Sequence, residues 1–366
     1  MQEQLITQPA ELDALIGQLA AAPWIALDTE FMRERTYYAR LCLVQVATPE
    51  VIACVDPLQL PGIDPLLDLL QAPTTLKVLH SARQDLEVFW DLRKALPAPL
   101  FDTQIAAAMI GLDEQIGYGN LVQSITGVRL PKLHTRTDWS ARPMSDAQLR
   151  YAFDDVHYLR DVYLHLEREL ARLGRRAWLA EECAQLTDPR RYRNDPDSAW
   201  RRLRAGQSLA PQAQAILRAL AAWREREAQR RNLPRGWVVK DAVLVDLARR
   251  APHTLDELAT VPELAPAILR QSGAAILAEI ARARAEPAVP LWPPLEPPDA
   301  ARQQLYKDMA ARVQACAARE HISATLLATR QDLQQLVQGG DSPVLHGWRG
   351  AVIGNELAAL RRAALP

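Results

Sequence analysis

The chain has 366 residues, of which 49% are hydrophobic and 24% charged, so it reads as a globular protein of two or three domains and not as a disordered or fibrous one. Its formal net charge of −1 gives it no general attraction for nucleic acid. Four widely spaced cysteines (Cys42, Cys54, Cys183, Cys316) form no C-x-x-C pair, which excludes a zinc ribbon or dithiol redox site and fits the reduced thiols of a cytoplasmic protein. The first residues lack the basic and apolar regions of a signal peptide, and no run of 18 apolar residues occurs, so no membrane partner is expected.

In chain order, residues 9–22 read as an amphipathic helix. Residues 24–31, 41–48 and 51–55 then read as strands from their β-branched and apolar content. Residues 63–71 read as helix, 76–80 as a short buried strand and 82–94 as helix. After Phe101 the pattern is mostly helical, with turns at Gly117-Tyr-Gly and Leu130-Pro-Lys. One long helix is expected from Ser145, a good N-cap, to Leu173, closed by Gly174. Strands followed by alternating strand and helix predict an α/β region, a mixed sheet flanked by helices.

Residues 188–197 are polar and broken by proline, which marks a boundary. Around it arginines cluster (Arg175-Arg176, Arg190-Arg191, Arg201-Arg202, Arg230-Arg231), as a phosphate-backbone binder requires, although solvated helix faces share that composition. Residues 209–286 are helical in pattern, residues 287–298 carry the prolines of a stiff linker, and residues 299–366 are helical again. The expected division is an α/β domain over 1–190, all-α domains over 209–286 and 299–366, and linkers over 187–208 and 287–298.

The chemistry-bearing residues lie in the first region. In Leu27-Asp28-Thr29-Glu30-Phe31, strand alternation puts Asp28 and Glu30 on one face and Thr29 on the other. A cation between the two carboxylates would remove their repulsion, and oxygen ligands suit Mg²⁺ or Mn²⁺. Asp85 falls in the first turn of a helix, where an acid is also an ordinary stabiliser of the helix dipole. Tyr151 and Asp155, four apart, share a helix face from which Asp154 points away. His80 reads as a packing or hydrogen-bonding residue, Asp102 and Asp138 as structural acids, and Trp139 as core. No P-loop, H-E-x-x-H or G-x-S-x-G pattern occurs, which excludes a helicase motor, a zincin and an α/β-hydrolase triad.

Together, Asp28-Thr-Glu30, Asp85 after His80-Ser-Ala-Arg-Gln, and Tyr151-x-x-x-Asp155 resemble the three exonuclease motifs of the DEDD superfamily in order and spacing. The tyrosine is that of the DEDDy branch. Phe101-Asp-Thr-Gln, Thr137-Asp-Trp-Ser-Ala-Arg-Pro-Met and the stretch from Gln148 to Leu159 are similar to the ribonuclease D family, over residues 1–190 as a whole. The segment from Trp223, with Asn232-Leu-Pro-Arg-Gly-Trp-Val-Val-Lys-Asp, resembles an HRDC domain, a module associated with nucleic-acid binding; residues 299–366 match less well as a second.

The resemblance implies a ribonuclease H-like sheet and 3′–5′ hydrolysis of RNA to nucleoside 5′-monophosphates by two divalent cations, Mg²⁺ or Mn²⁺. It implies that Asp28, Glu30 and Asp155 hold one cation, that Asp28 bridges to a second held by Asp85 through water, and that Tyr151 orients the attacking water. Its implied substrate is RNA with a free 3′ end, tRNA precursors above all; a monomer is expected. Two alternatives stay open on sequence: a DNA-directed exonuclease, because no 2′-OH contact can be placed, and a nucleic-acid-binding protein without turnover.

Overall fold

The computed structural model describes residues 3–131, 137–292 and 299–364. Six strands, β1 (Glu3–Ile6), β2 (Trp24–Met32), β3 (Arg40–Ala47), β4 (Ile52–Val55), β5 (Leu76–Leu79) and β6 (Leu100–Asp102), form one mixed sheet in the order β1-β4-β3-β2-β5-β6. β2 and β3 are antiparallel, with a register shift between Glu30 and Phe31, while β2–β5 and β5–β6 are parallel. Ile25, Ala26, Leu27, Leu43, Val44 and Val46 are all buried, so these central strands read as apolar runs covered on both faces. The sequence pattern does not predict β1 or β6. At four and three residues they are too short to show alternation, and each pairs along one edge only.

Around the sheet lie α1 (Pro9–Ala20), α2 (Asp64–Gln71), α3 (Arg83–Arg93), α4 (Thr103–Met109), α5 (Tyr118–Thr126), α6 (Asp146–His157), α7 (Leu159–Leu173) and α8 (Arg176–Leu186). The helix expected to run from Ser145 to Leu173 is two helices meeting at Tyr158. The Tyr118 hydroxyl donates to the Asp154 carbonyl at 3.0 Å, which is the acceptor a continuous helix would offer the Tyr158 N–H. A side chain inserted into the i→i−4 ladder is a known cause of such breaks. The expected turn at 130–132 runs into residues 132–136, and much of the expected linker falls in 293–298, both outside the described residues.

Contacts divide the chain into two compact units, residues 1–32, 40–191 and 297–366 in one and residues 33–39 and 192–296 in the other. In the first, the C-terminal helical segment over residues 299–364 packs on α8. Trp348 stacks on Trp178 with ring centroids 4.6 Å apart. Glu181 and Glu182 accept from the Trp348 N–H (2.9 Å) and indole N–H (2.8 Å). A side chain at Gly347, whose φ is +54°, would collide with the Glu181 carboxylate.

The second unit contains α9 (Pro211–Arg231), α10 (Arg235–Val238), α11 (Asp241–Arg250), α12 (Leu255–Ala259) and α13 (Pro266–Ala285). Residues 187–208, expected as a linker, include turns at Pro196–Arg202 and Arg204–Ser208 that bring Ala199 and Leu203 into this unit's core. Tyr37 also enters that core; its ring lies under Arg235, and its N–H donates to Asn232 at 3.0 Å. The C-terminal helices of the first unit are α14 (Ala300–Glu320), α15 (Ala324–Leu327), α16 (Arg330–Val337), α17 (Gly347–Arg349) and α18 (Asn355–Ala364).

Within the first unit one buried ion pair positions α6. Arg142, just before that helix, donates to both oxygens of the fully buried Asp56 after β4 (2.6 and 2.8 Å) and to the Cys42 carbonyl on β3 (2.8 Å). Burial alone would raise the Asp56 carboxyl, but bonds from Arg142, Gln59 and the Leu58 N–H hold it below the usual carboxylate range. Arg142→Ala should therefore destabilise this unit by about 3–5 kcal/mol, the cost of stranding a buried charge. Because the folded pKa is depressed, the wild-type contribution is complete above about pH 4 and lost as pH falls through the lower folded value. Urea denaturation of both proteins, at neutral and acid pH, measures this; a loss under 1 kcal/mol, or one that persists unchanged in acid, would contradict it.

Candidate active site

β2 supplies the first two acids. Asp28 and Glu30 lie on the face that α6 crosses, since α6 packs on β2, β3 and β4. α6 begins in a reciprocal capping box, with the Gln148 N–H donating to Ser145 Oγ (3.2 Å) and the Ser145 N–H donating back to Gln148 Oε1 (3.0 Å). That start sets the helical phase, and the phase brings Asp155 down onto the strand. Ligand atoms of Asp28, Glu30 and Asp155 lie within 4.8 Å of one another.

The fourth acid stands apart from this cluster. Asp85, buried in the first turn of α3, accepts a 2.5 Å hydrogen bond from Thr29, the strand residue opposite in phase to Asp28 and Glu30. The charges still interact: burial, then Asp155 and Asp85, raise the Asp28 carboxyl well above its ordinary value. Burial, then Asp28 and Asp85, push Glu30 up to about 9. Burial, then Glu30 and Asp154, raise Asp155. Burial lifts Asp85 to about 6 against the lowering effect of the Thr29 bond.

Tyr151 is hydrogen-bonded to the Asp155 carboxylate, and burial followed by the charges of Asp155, Glu30 and Asp28 raises its phenol above the usual value. It therefore keeps its proton. The buried Trp139 ring lies 6.0 Å away and backs it. Tyr151 and Asp155 form one wall of an open cleft of about 960 Å³, whose other lining includes Tyr118, Asn120, Gln123 and Arg129.

The remaining sequence candidates have structural partners. His80 Nδ1 is 3.0 Å from the Thr103 hydroxyl, and burial holds the ring below the usual imidazole range. Asp154 is ion-paired with Arg150 at 2.9 Å. Asp138 accepts from the Ser140 N–H and hydroxyl. Asp102 caps α4. Sequence reasoning missed Thr29 as the partner of Asp85 and Arg142 as the anchor before α6. Thr29 was visible only as the polar residue between two acids, and Arg142 gave no signal because Asp56 lies 86 residues earlier.

Comparison with known proteins extends this geometry to a family. Residues 4–171 match a family described as 3′–5′ exonuclease, and residues 213–280 match the HRDC domain. Ribonuclease D of Gluconacetobacter diazotrophicus is 43% identical over 98% of this chain and 92% of its own length. That of Acidiphilium cryptum is 41% identical over the same shares. The crystal structure of Escherichia coli RNase D, described as an exoribonuclease involved in structured RNA processing, is 34% identical with a TM-score of 0.91, covering 99% of each chain. The chain belongs to the ribonuclease D family of 3′–5′ exoribonucleases.

Proposed function

We propose that this exonuclease removes nucleoside 5′-monophosphates one at a time from the 3′ end of RNA, with two divalent cations, Mg²⁺ or Mn²⁺, and that trimming of tRNA precursors in the cytoplasm is its task as a monomer. The observation that carries the metal reading is the convergence of Asp28, Glu30 and Asp155 within 4.8 Å. Three carboxylates held that close repel one another, and an all-oxygen set fits hard cations. Asp28, Glu30 and Asp155 would hold one ion, and Asp28 would be shared with a second, held by Asp85 through water. When bound, such cations lower the pKa of the attacking water and stabilise charge on the phosphoryl and leaving oxygens.

The chain's own groups do the rest. Tyr151, protonated and bonded to Asp155, positions the attacking water and does not remove its proton. The cleft beside Tyr151 and Asp155 receives the 3′-terminal nucleotides. RNA is preferred over DNA as the substrate because the full-length relatives are ribonucleases.

The pH dependence of stability tests the acid cluster without any substrate. Glu30 at about 9 and Asp85 at about 6 lie above the unfolded carboxylate values of about 4. The folded, metal-free chain thus binds protons that the unfolded chain has released, so stability from these groups is complete in acid and lost as pH rises through 6 and then 9. In EDTA the Tm should fall between about pH 5.5 and 8.5, and Mg²⁺ should raise it most at the upper end by binding the folded state alone. Glu30→Gln should flatten the slope. An equal Mg²⁺ shift in Asp155→Ala would count against the site.

Turnover is tested with 5′-labelled single-stranded RNA and its DNA counterpart in Mg²⁺, Mn²⁺ or EDTA. Wild type should give a metal-dependent ladder from the RNA 3′ end, and Asp155→Ala none. Tyr151→Phe should lower kcat about 10²-fold with KM little changed, as expected when a reacting group is misplaced. Equal loss of DNA would turn the reading to a DNA-directed enzyme, and binding without shortening would leave a non-catalytic module.

A further inference from the structure

Asp102 ends β6 and is only 2% exposed, yet its carboxylate accepts four backbone N–H groups. Oδ1 accepts from Gln104 (2.8 Å), Ile105 (3.2 Å) and Ser81 (3.2 Å), and Oδ2 accepts from Ala82 (2.8 Å). The bonds from Gln104 and Ile105 are an ordinary N-cap for α4. Those from Ser81 and Ala82 come from another element, the turn that leads into α3.

That turn needs an outside restraint. Ala82 occupies the N-cap position of α3 and has no side-chain acceptor with which to fix the turn from within. Ser81 sits at φ +56°, a left-handed conformation that costs a non-glycine residue free energy and persists only where the surroundings over-determine it. Asp85 follows within one helical turn, so a small rotation at residues 81 and 82 would swing its carboxylate away from the Thr29 hydroxyl.

We propose that Asp102 is a positioning residue for Asp85. One buried carboxylate caps α4 and, from the strand next to β5, accepts the N–H groups of the two residues that lead into α3, and so fixes the turn that aims the fourth acid at the other three. The role rests on the metal-site reading given above. It explains why an aspartate stands at this position. Asparagine offers one acceptor oxygen; turned toward α4 and Ser81, it sets its amide against the Ala82 N–H, donor against donor. Serine caps a helix as well as aspartate does but is too short to reach the Ser81–Ala82 turn as well.

The test uses the full chain as wild type, Asp102→Asn, Asp102→Ser and Asp155→Ala. Each is titrated with Mn²⁺ alone by isothermal calorimetry and by electron paramagnetic resonance of free Mn²⁺, with a thermal melt alongside. Both Asp102 variants keep the α4 cap and should stay folded. They should bind the first ion as wild type does and the second about 10–100-fold more weakly, the range typical when an outer hydrogen-bonding partner of a ligand is lost. On labelled RNA their KM should be unchanged and their kcat should recover as Mn²⁺ is raised. If both ions bind with wild-type affinity while Tm falls, Asp102 is a stabilising cap only and the proposal fails. Loss of both ions together, with unfolding, overturns it equally. Wild type that binds no Mn²⁺ would bring down the metal reading itself, a failure visible before any substitution is made.

Discussion

Carboxylates crowded into one buried corner repel one another, and the first unit is organised around holding them there. Two like charges 4.8 Å apart, the upper limit for oxygens of Asp28, Glu30 and Asp155, cost about 3–4 kcal/mol at an effective dielectric of about 20. Three such pairs approach the whole stability of an ordinary domain, roughly 5–15 kcal/mol. The cluster therefore cannot be fully ionised without compensation, and the raised pKa values of Asp28, Glu30 and Asp155 express that: protons fill the role until something more highly charged displaces them. A site strained in this way binds cations because binding relieves it.

The restraints that oppose the repulsion come from outside the acids. Arg142 ties the chain before α6 to Asp56 and to β3, so the helix carrying Asp155 starts from a fixed point. The Ser145–Gln148 box then sets its phase. On the other side, Thr29 turns away from its acidic neighbours and holds Asp85. Each of these groups removes a motion by which the acids could separate.

Much of this was legible in the sequence, and what was not has physical reasons. The long strands β2 and β3 declare themselves by β-branched and apolar content and several helices of the first unit by periodicity, while the acids Asp28, Glu30, Asp85 and Asp155 stand out together through motifs that resemble the DEDD superfamily in order and spacing. β1 and β6 are too short to carry a period. The break at Tyr158 depends on a hydroxyl from Tyr118, 36 residues from the carbonyl it meets. Lys77, a charge inside the short buried strand β5, has its ammonium held by the Ala72, Thr75 and Ala98 carbonyls, the last 21 residues away, and burial lowers it to about 8. Pairings across long sequence separations leave no local pattern, and those pairings decide where the side chains of the site point.

The division of labour at the site follows from the same electrostatics. A residue facing three carboxylates is more easily left protonated than deprotonated, and Tyr151 starts from a reference value of about 10 before burial and Asp155, Glu30 and Asp28 raise it further. A phenol in that setting is a fixed donor over the whole neutral range. An imidazole at the same place would change charge within that range. With tyrosine at position 151, the groups whose titration is moved up toward neutrality are the acids, among them Asp85 at about 6 and Glu30 at about 9 in the metal-free protein. The proton balance of the cluster is thus set by its acids, and Tyr151 stays a fixed hydrogen-bond donor beside them.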